Sequence, residues 1–194
     1  MVFLDPIIDN QEHNLSDTYR KLVRRSEEVR IATGYFYLSG FNLYKEDLEQ
    51  LADPEELGKS PIRIIMGRKT DRRTADELEE GFNLREQMEE DIHEDIENLN
   101  NAQMDRLERL KDFIAEGLVD VRISNPDGGS FHAKGASFRE PLPEEENDAE
   151  DQDRRPVSVI VGSSNFSKTG HTQNIELNLS SQDATKAAEF ENWF

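Results

Sequence analysis

The feature that most constrains the fold is the segment 157–161, Val-Ser-Val-Ile-Val, which ends in the run Gly-Ser-Ser-Asn. Short apolar segments rich in β-branched residues and bounded by turn residues are typical of strands buried on both faces. Segments 29–37, 62–66 and 119–123 have similar patterns, and stretches with helical spacing lie between the strands. Strands separated by helices predict an α/β fold, with a mixed or largely parallel sheet covered on both faces.

Helical spacing of apolar residues predicts helices at 14–28, with Ser16 as a candidate cap, at 41–51, within 71–116, and at 184–194. The segment 140–155 contains eight acidic residues and, apart from Leu142, no aliphatic residue suited to a core. It predicts an acidic, mobile loop between two strands. Phe190, Trp193 and Phe194 give the last helix a strongly apolar face, so we expect more protein to follow it.

Two groups of residues indicate a chemistry. His132 and Lys134 fall in a segment, 131–138, that predicts a strand, and alternation along a strand places imidazole and ammonium on the same face. The second group is the run from Gly162 to Asn165, whose small residues and amide can approach a phosphate closely, followed by Glu176. Glu176 lies in an alternating segment, 175–179, which predicts a strand with its apolar residues on one face and Glu176 on the other.

These motifs resemble the signature of the phospholipase D superfamily, which reads His-x-Lys, then Asp, then Gly-Ser-x-Asn, then Glu on the next strand. The matching residues are His132, Lys134, Gly162, Ser163, Asn165 and Glu176. The family's usual Asp, five residues after the Lys, is Arg139 here. The resemblance implies a three-layer α/β/α sandwich.

The wider resemblance is to the phospholipase D-like domain at the N-terminus of Swi/Snf-type helicases. It rests on the segments 33–41, 161–170 and 173–178 and spans residues 15 to 194. It implies a helicase motor C-terminal to a single domain at 1–194, with nucleic acid as partner, and DNA rather than RNA.

The resemblance also implies roles for individual residues. His132, Lys134, Asn165 and Glu176 would be catalytic, and Ser163, Ser164 and Lys168 would bind substrate. The superfamily uses two His-x-Lys pairs in one site, whereas this chain has one, so the resemblance implies a homodimer with a shared active site. His132 would form a phosphohistidine, and Glu176 would accept a hydrogen bond from the other ring nitrogen of His132. The scheme uses no cofactor and no metal.

Composition limits the remaining possibilities. The chain has no cysteine, which excludes disulfides, and no spacing of residues typical of a metal site. Its net charge of -19, with 15 Arg against 8 Lys, is far from that of an ordinary nucleic-acid binder and is the pattern expected of a protein from a halophile. At about 1 M salt the Debye length is about 3 Å, so surface acids would hardly repel a phosphate bound at a local cationic site.

Three functions remain in competition. The leading one is a metal-independent nuclease-like phosphodiesterase in the cytoplasm. A noncatalytic dimerisation or DNA-targeting module is the second, because Arg139 replaces the family's Asp. A lipid phosphodiesterase is disfavoured, since the chain carries a strong negative charge and no basic amphipathic helix for a membrane surface.

Overall fold

The computed structural model describes residues 4–67, 101–124, 131–141 and 157–194. Of the stretch 71–116 in which helices were predicted, residues 71–100 lie outside the described residues, as does most of the acidic loop. The strands are β1 (Ile7–Ile8), β2 (Glu28–Thr33), β3 (Ile62–Gly67), β4 (Val119–Ser124), β5 (Lys134–Arg139), β6 (Val157–Gly162) and β7 (Asn178–Ser181). The helices are α1 (Leu15–Val23), α2 (Leu38–Leu48), α3 (Pro54–Leu57), α4 (Asn101–Ala115), α5 (Lys168–Thr172) and α6 (Ala184–Trp193).

The strands form one mixed sheet in the order β1-β7-β6-β5-β2-β3-β4. β2, β3 and β4 run parallel to one another, whereas the pairs β1–β7, β7–β6, β6–β5 and β5–β2 are antiparallel. A mixed sheet was predicted, but within the described residues its pairs are antiparallel more often than parallel. The reason is that β5, β6 and β7 are neighbours in the sheet in the order in which they follow in the chain, and consecutive antiparallel strands need no crossover helix.

Helices cover both faces, as the predicted three-layer sandwich requires. On one face Tyr19 of α1 meets Phe138 of β5 edge-on at 4.8 Å, and Phe41 of α2 meets Phe113 of α4 at 5.3 Å. On the other face α6 lies over β5 and β6, where a Cβ on Gly135 would come within 3.0 Å of the Phe190 ring. Of the helices described, none is long and apolar enough to cross a bilayer.

Several boundaries differ from those predicted. Strand β5 begins at Lys134, so His132 lies just before the strand rather than in it. Strand β7 likewise begins at Asn178, after Glu176. Helix α1 is capped by Asn14, whose side chain accepts from the Ser16 amide and takes the place expected of Ser16. Strand β1 was not predicted, because two residues are too short for a recognisable pattern.

One edge of the sheet collects the chemically active segments. β2, β3 and β6 end at this edge, and β5 and β7 begin at it. The register pairs Thr33 with Lys134 and Gly162 with Asn178, and extending the β5–β6 register by one residue sets Lys134 beside Gly162. The topology therefore brings the His-x-Lys motif next to the Gly-Ser-Ser-Asn loop.

Candidate active site

The His-x-Lys segment lies against glycines at the ends of two neighbouring strands. A Cβ on Gly34 would come within 3.2 Å of the His132 Cα and 3.4 Å of the Lys134 Nζ. A Cβ on Gly67 would lie 2.6 Å from the Gly34 carbonyl oxygen and 2.8 Å from that of Phe131. These two glycines therefore allow the backbone before β5 to approach β2 and β3 closely. Gly67 was not singled out from the sequence, although it directly follows an apolar strand pattern.

His132 is exposed, and its ring meets Tyr35 edge-on with 6.4 Å between ring centroids. Lys134 is half-buried and donates from Nζ to the His132 carbonyl oxygen at 3.0 Å. Partial burial lowers the pKa of Lys134, whereas the negative charge of Glu176 acts to raise it. Lys134 and Glu176 are thus within electrostatic reach of each other.

Glu176 is bound by the Gly-Ser-Ser-Asn loop. The Ser163 hydroxyl donates to Glu176 Oε2, and the Asn174 amide donates to Oε1 at 3.4 Å. The Leu177 amide in turn donates to the Ser163 hydroxyl at 3.0 Å. Among the described residues, no hydrogen bond joins Glu176 to His132, so within one chain the carboxylate orients Ser163.

Asn178 rather than an apolar residue occupies the buried side of the 175–179 segment. It is 2 % exposed, and its amide donates to the Ser164 hydroxyl at 2.9 Å and to the Ile8 carbonyl at 3.3 Å. Alternation was predicted correctly, but its apolar side chains point outward, with Ile175 75 % and Leu177 59 % exposed. Ser164, which was predicted to bind substrate, is likewise buried, and its hydroxyl supports the loop through Asn178.

The segment after β2 is joined to the same loop. The Thr33 hydroxyl donates to the Tyr35 carbonyl at 2.7 Å and accepts from the Phe166 amide at 3.1 Å. At the start of α2, a Cβ on Gly40 would lie 2.5 Å from the Phe166 carbonyl oxygen, so only glycine allows this approach. These contacts fix the loop that carries Ser163 and Asn165.

Asn165 and Glu176 line a cleft of about 300 Å³. Its other walls come from Tyr37, Ser39, Ser167, Thr169, Gly170 and Asn174. Asn165 Oδ1 is buried and has no hydrogen-bond partner within the described part of the chain. Since buried polar atoms are nearly always hydrogen-bonded, this unpaired carbonyl oxygen is suited to accept a hydrogen bond from a donor group of a ligand.

Lys168 lies in a neighbouring cavity, of about 330 Å³, rather than in the Asn165 cleft. Its backbone amide donates to the Ser39 hydroxyl at 3.3 Å, and Ser39 lines both cavities. Lys168, predicted to bind substrate, therefore lines the adjoining cavity and not the Asn165 cleft.

His171 is a core residue. It is 2 % exposed, and its Nδ1 is 2.6 Å from the Tyr44 hydroxyl, with Tyr19 and Phe166 also in ring contact. Burial lowers the pKa of His171 to about 3. The imidazole is therefore neutral, and helix α5 is too short for its apolar spacing to have revealed this.

Arg139, which replaces the family's Asp, is paired on the face of the sheet covered by α6. It donates to both oxygens of Glu191, and Arg30 Nη1 lies 3.6 Å from the same carboxylate. Arg139 therefore attaches α6 to β5 and lies away from the Asn165 cleft.

The described residues contain no group of three or more His, Asp or Glu side chains placed to hold a metal ion. Within them the catalytic possibilities rest on the groups already named: an exposed imidazole, an ammonium, a carboxylate, a hydroxyl and an unpaired amide. These are the groups that nucleophilic and electrostatic catalysis at a phosphoryl centre requires.

Comparison with known families agrees with the motif order. A family model described as "Cardiolipin synthase, PLD-like domain" matches residues 19–194. The chain belongs to this phospholipase D-like family. The superfamily predicted from the motifs is thereby confirmed, and phosphodiesterase-type activity is the chemistry that membership supports.

Several solved structures are similar to this chain over most of its length. Polyphosphate kinase from Porphyromonas gingivalis matches with a TM-score of 0.55 and 14 % identity, over 97 % of this chain and 25 % of that one. NucT from Helicobacter pylori matches with a TM-score of 0.44 and 13 % identity, over 91 % of this chain and 82 % of that one. Nuc from Salmonella typhimurium, a phospholipase D family member, matches with a TM-score of 0.48 and 14 % identity, over 96 % of this chain and 89 % of that one. At these identities the likeness concerns the fold. Comparison with curated protein sequences gives no significant match.

Proposed function

We propose that this phospholipase D-like chain is a metal-independent phosphodiesterase that cleaves nucleic acid, DNA in preference to RNA. The observation that carries the proposal is the meeting of the His132–Lys134 segment, the Ser163–Asn165 loop and Glu176 at one edge of the sheet. An exposed imidazole supplies a nucleophile, and the Lys134 ammonium supplies a cation for the nonbridging phosphoryl oxygens. The Nδ2 group of Asn165 would donate to the same oxygens, whereas its unpaired Oδ1 can accept only from a donor group of the substrate.

The proposed reaction has two displacements. A ring nitrogen of His132 attacks phosphorus, the bond to the leaving oxygen breaks, and His132 of the partner subunit donates the proton that this oxygen needs. Water, which gives its proton to that second imidazole, then attacks phosphorus and breaks the P–N bond, so both histidines return to their starting state. Ser163, held by Glu176, is placed to donate to a phosphoryl oxygen when its hydroxyl turns from the carboxylate.

The second imidazole requires a homodimer, and an exposed apolar surface beside the site supports one. We define the edge surface as Ile7, Val161, Ile175, Leu177 and Leu179, which are 41–75 % exposed. Leu179 pairs with both Ile7 and Val161 across the strands, so the surface is continuous there. Leu177 donates to the Ser163 hydroxyl, which places the surface next to the site. Apolar surface of this kind marks a binding face.

Cleavage assays in excess chelator test the catalytic proposal. Labelled single- and double-stranded DNA, RNA and bis(p-nitrophenyl) phosphate are the substrates, and the proteins are wild type, His132→Ala and the surface control His13→Ala. We expect wild type and His13→Ala to cleave DNA, with His132→Ala slower by about a thousand-fold or more. Activity that required added magnesium would overturn the mechanism. A folded dimer that cleaves nothing would favour the noncatalytic module.

Sedimentation tests the dimer. In molar salt the wild type is expected near twice 22.3 kDa, and Leu179→Glu is expected to be monomeric and inactive. Ala188→Glu adds the same charge on the exposed side of α6 and serves as the matched control. A Leu179→Glu protein that remained dimeric would exclude the edge surface as the interface.

A C-terminal helicase motor, which would deliver the DNA, completes the proposal.

A further inference from the structure

A cationic cavity adjoins the Asn165 cleft. Its walls include Arg20 of α1, Arg24 at the C-cap of that helix, Lys45 of α2 and Lys168 of α5, against the two acids Glu46 and Asp47. Four cations against two acids is the opposite of the whole chain, in which acids outnumber bases 42 to 23. Such a local reversal of charge attracts anions.

The acids of this cavity are too few to account for its cations. Asp47, 5 % exposed, accepts from Arg24 Nε at 2.6 Å and lies 3.6 Å from Arg20 Nε. It therefore holds both guanidinium groups in place from below, while the Arg24 side chain stays 60 % exposed. Lys45 and Lys168 form no ion pair with any residue in the described part of the chain.

The position of the cavity relates it to the site. Ser39 lines both the cationic cavity and the Asn165 cleft, and it accepts a hydrogen bond from the Lys168 amide. His132 and Lys134 do not line the Asn165 cleft. A phosphodiester chain with its scissile phosphate at His132 that continues through this cleft would bring a flanking phosphate to Lys168. Continued along the cavity, it would meet Lys45 and Arg24.

We infer that the Arg20–Arg24–Lys45–Lys168 cavity is a subsite for the phosphates that flank the scissile bond of a single-stranded nucleic acid. This inference rests on the proposed function for its substrate class. It explains how a chain of net charge -19 can hold a polyanion: the contact is local, and salt screens the remaining acids. Arg and Lys that neutralise phosphates release counterions, so each contact contributes to the salt dependence of binding.

Binding and cleavage measured on the same variants test the inference. Affinity for a fluorescein-labelled single-stranded 12-mer is measured by anisotropy at several salt concentrations for wild type, Lys45→Gln and Lys21→Gln. Lys21 is an exposed lysine of α1 outside the cavity and is the matched control. We expect Lys45→Gln to weaken binding about two- to five-fold and to reduce the slope of log K against log salt by about 0.7. Lys21→Gln should match wild type, and the rate on bis(p-nitrophenyl) phosphate should not change in either variant.

The outcomes separate this inference from the proposed function. The subsite is overturned if the wild type does not bind the 12-mer, or if Lys45→Gln leaves the slope of log K against log salt unchanged. It is also overturned if Lys45→Gln lowers the cleavage rate of bis(p-nitrophenyl) phosphate as much as it weakens binding of the 12-mer, because the small substrate reaches only the reacting centre. If Lys45→Gln weakened binding to phosphatidylglycerol vesicles but not to the 12-mer, a lipid subsite would replace it. If Lys45→Gln reduced the salt dependence of binding but the wild type cleaved nothing, the subsite would be supported and the proposed catalysis refuted.

Discussion

At the residue scale, the roles of the site residues differ in how far the sequence could reveal them. The motif order predicted His132, Lys134, Ser163, Asn165 and Glu176 as candidate site residues, because a motif depends on residue type and order along the chain and can be recognised without knowing the fold. It could not reveal that Ser163, rather than His132, is the hydrogen-bond partner of Glu176 within one chain. Nor could it reveal that Ser164 is turned toward Asn178, since adjacent residues of a turn face different directions.

Glu176→Gln tests the electrostatic link to Lys134. The carboxylate acts to raise the pKa of Lys134 against the lowering caused by burial. An uncharged amide removes the raising effect, so the pKa of Lys134 should fall further. The measurement is an NMR titration of the Lys134 side chain, with Lys168 as internal reference. An unchanged Lys134 titration would show that the two charges do not interact.

His171 predicts a pH dependence of stability. Its pKa is about 3 in the folded chain and about 6.5 when exposed, so the unfolded state binds the extra proton between these values. The stability that the neutral His171 contributes is fully present above about pH 6.5 and is lost as the pH falls toward 3. The unfolding free energy is measured with denaturant at several pH values for wild type and for Tyr44→Phe/His171→Phe, a variant that leaves no unpaired hydroxyl. Between these pKa values the free energy of wild type should fall with falling pH more steeply, by up to about 1.4 kcal/mol per pH unit. Equal slopes would mean that His171 is not buried.

At the element scale, pattern identified the strands and helices better than their orientation. The alternation at 175–179 was predicted, but a period of two shows only that the faces differ and not which face is inside. Asn178 is inside because Ser164 and the Ile8 carbonyl satisfy its side-chain amide, and because Gly162 has no Cβ to collide with its Oδ1. These contacts come from separate segments of the chain. The Arg139–Glu191 pair, 52 residues apart, was equally beyond local pattern.

Arg139→Asp restores the residue usual in the family and tests the attachment of α6. The introduced carboxylate would face that of Glu191, which is 9 % exposed, so we expect a loss of about 2–4 kcal/mol in unfolding free energy. Adding Glu191→Gln should recover part of the loss by removing one of the like charges. Arg109→Asp breaks the exposed pair with Glu49 and should cost much less than Arg139→Asp, because solvent screens that pair. An Arg139→Asp protein as stable as wild type would show that the pair does not hold the helix.

At the scale of the whole molecule, the charge of -19 predicts that salt stabilises the fold. The Debye length shrinks from about 10 Å at 0.1 M to about 3 Å at 1 M, which reduces repulsion among the acids. Tm should therefore rise between about 0.1 and 2 M sodium chloride. A variant with Gln at the exposed residues Glu108, Glu116 and Glu189 should have a higher Tm than wild type at about 0.1 M salt, and its Tm should rise less as salt is added. A flat wild-type profile would contradict the interpretation of the charge as an adaptation to salt.

Covalent catalysis by His132 is tested most directly by trapping the intermediate. The protein is mixed in excess chelator with a DNA substrate carrying ³²P at the scissile phosphate, quenched in alkali, and digested for peptide mapping. The expected result is a base-stable, acid-labile label on the peptide that contains His132, absent from His132→Ala and present in His13→Ala. Cleavage that proceeds without any label on that peptide, or that stops in chelator and returns with magnesium, would contradict it.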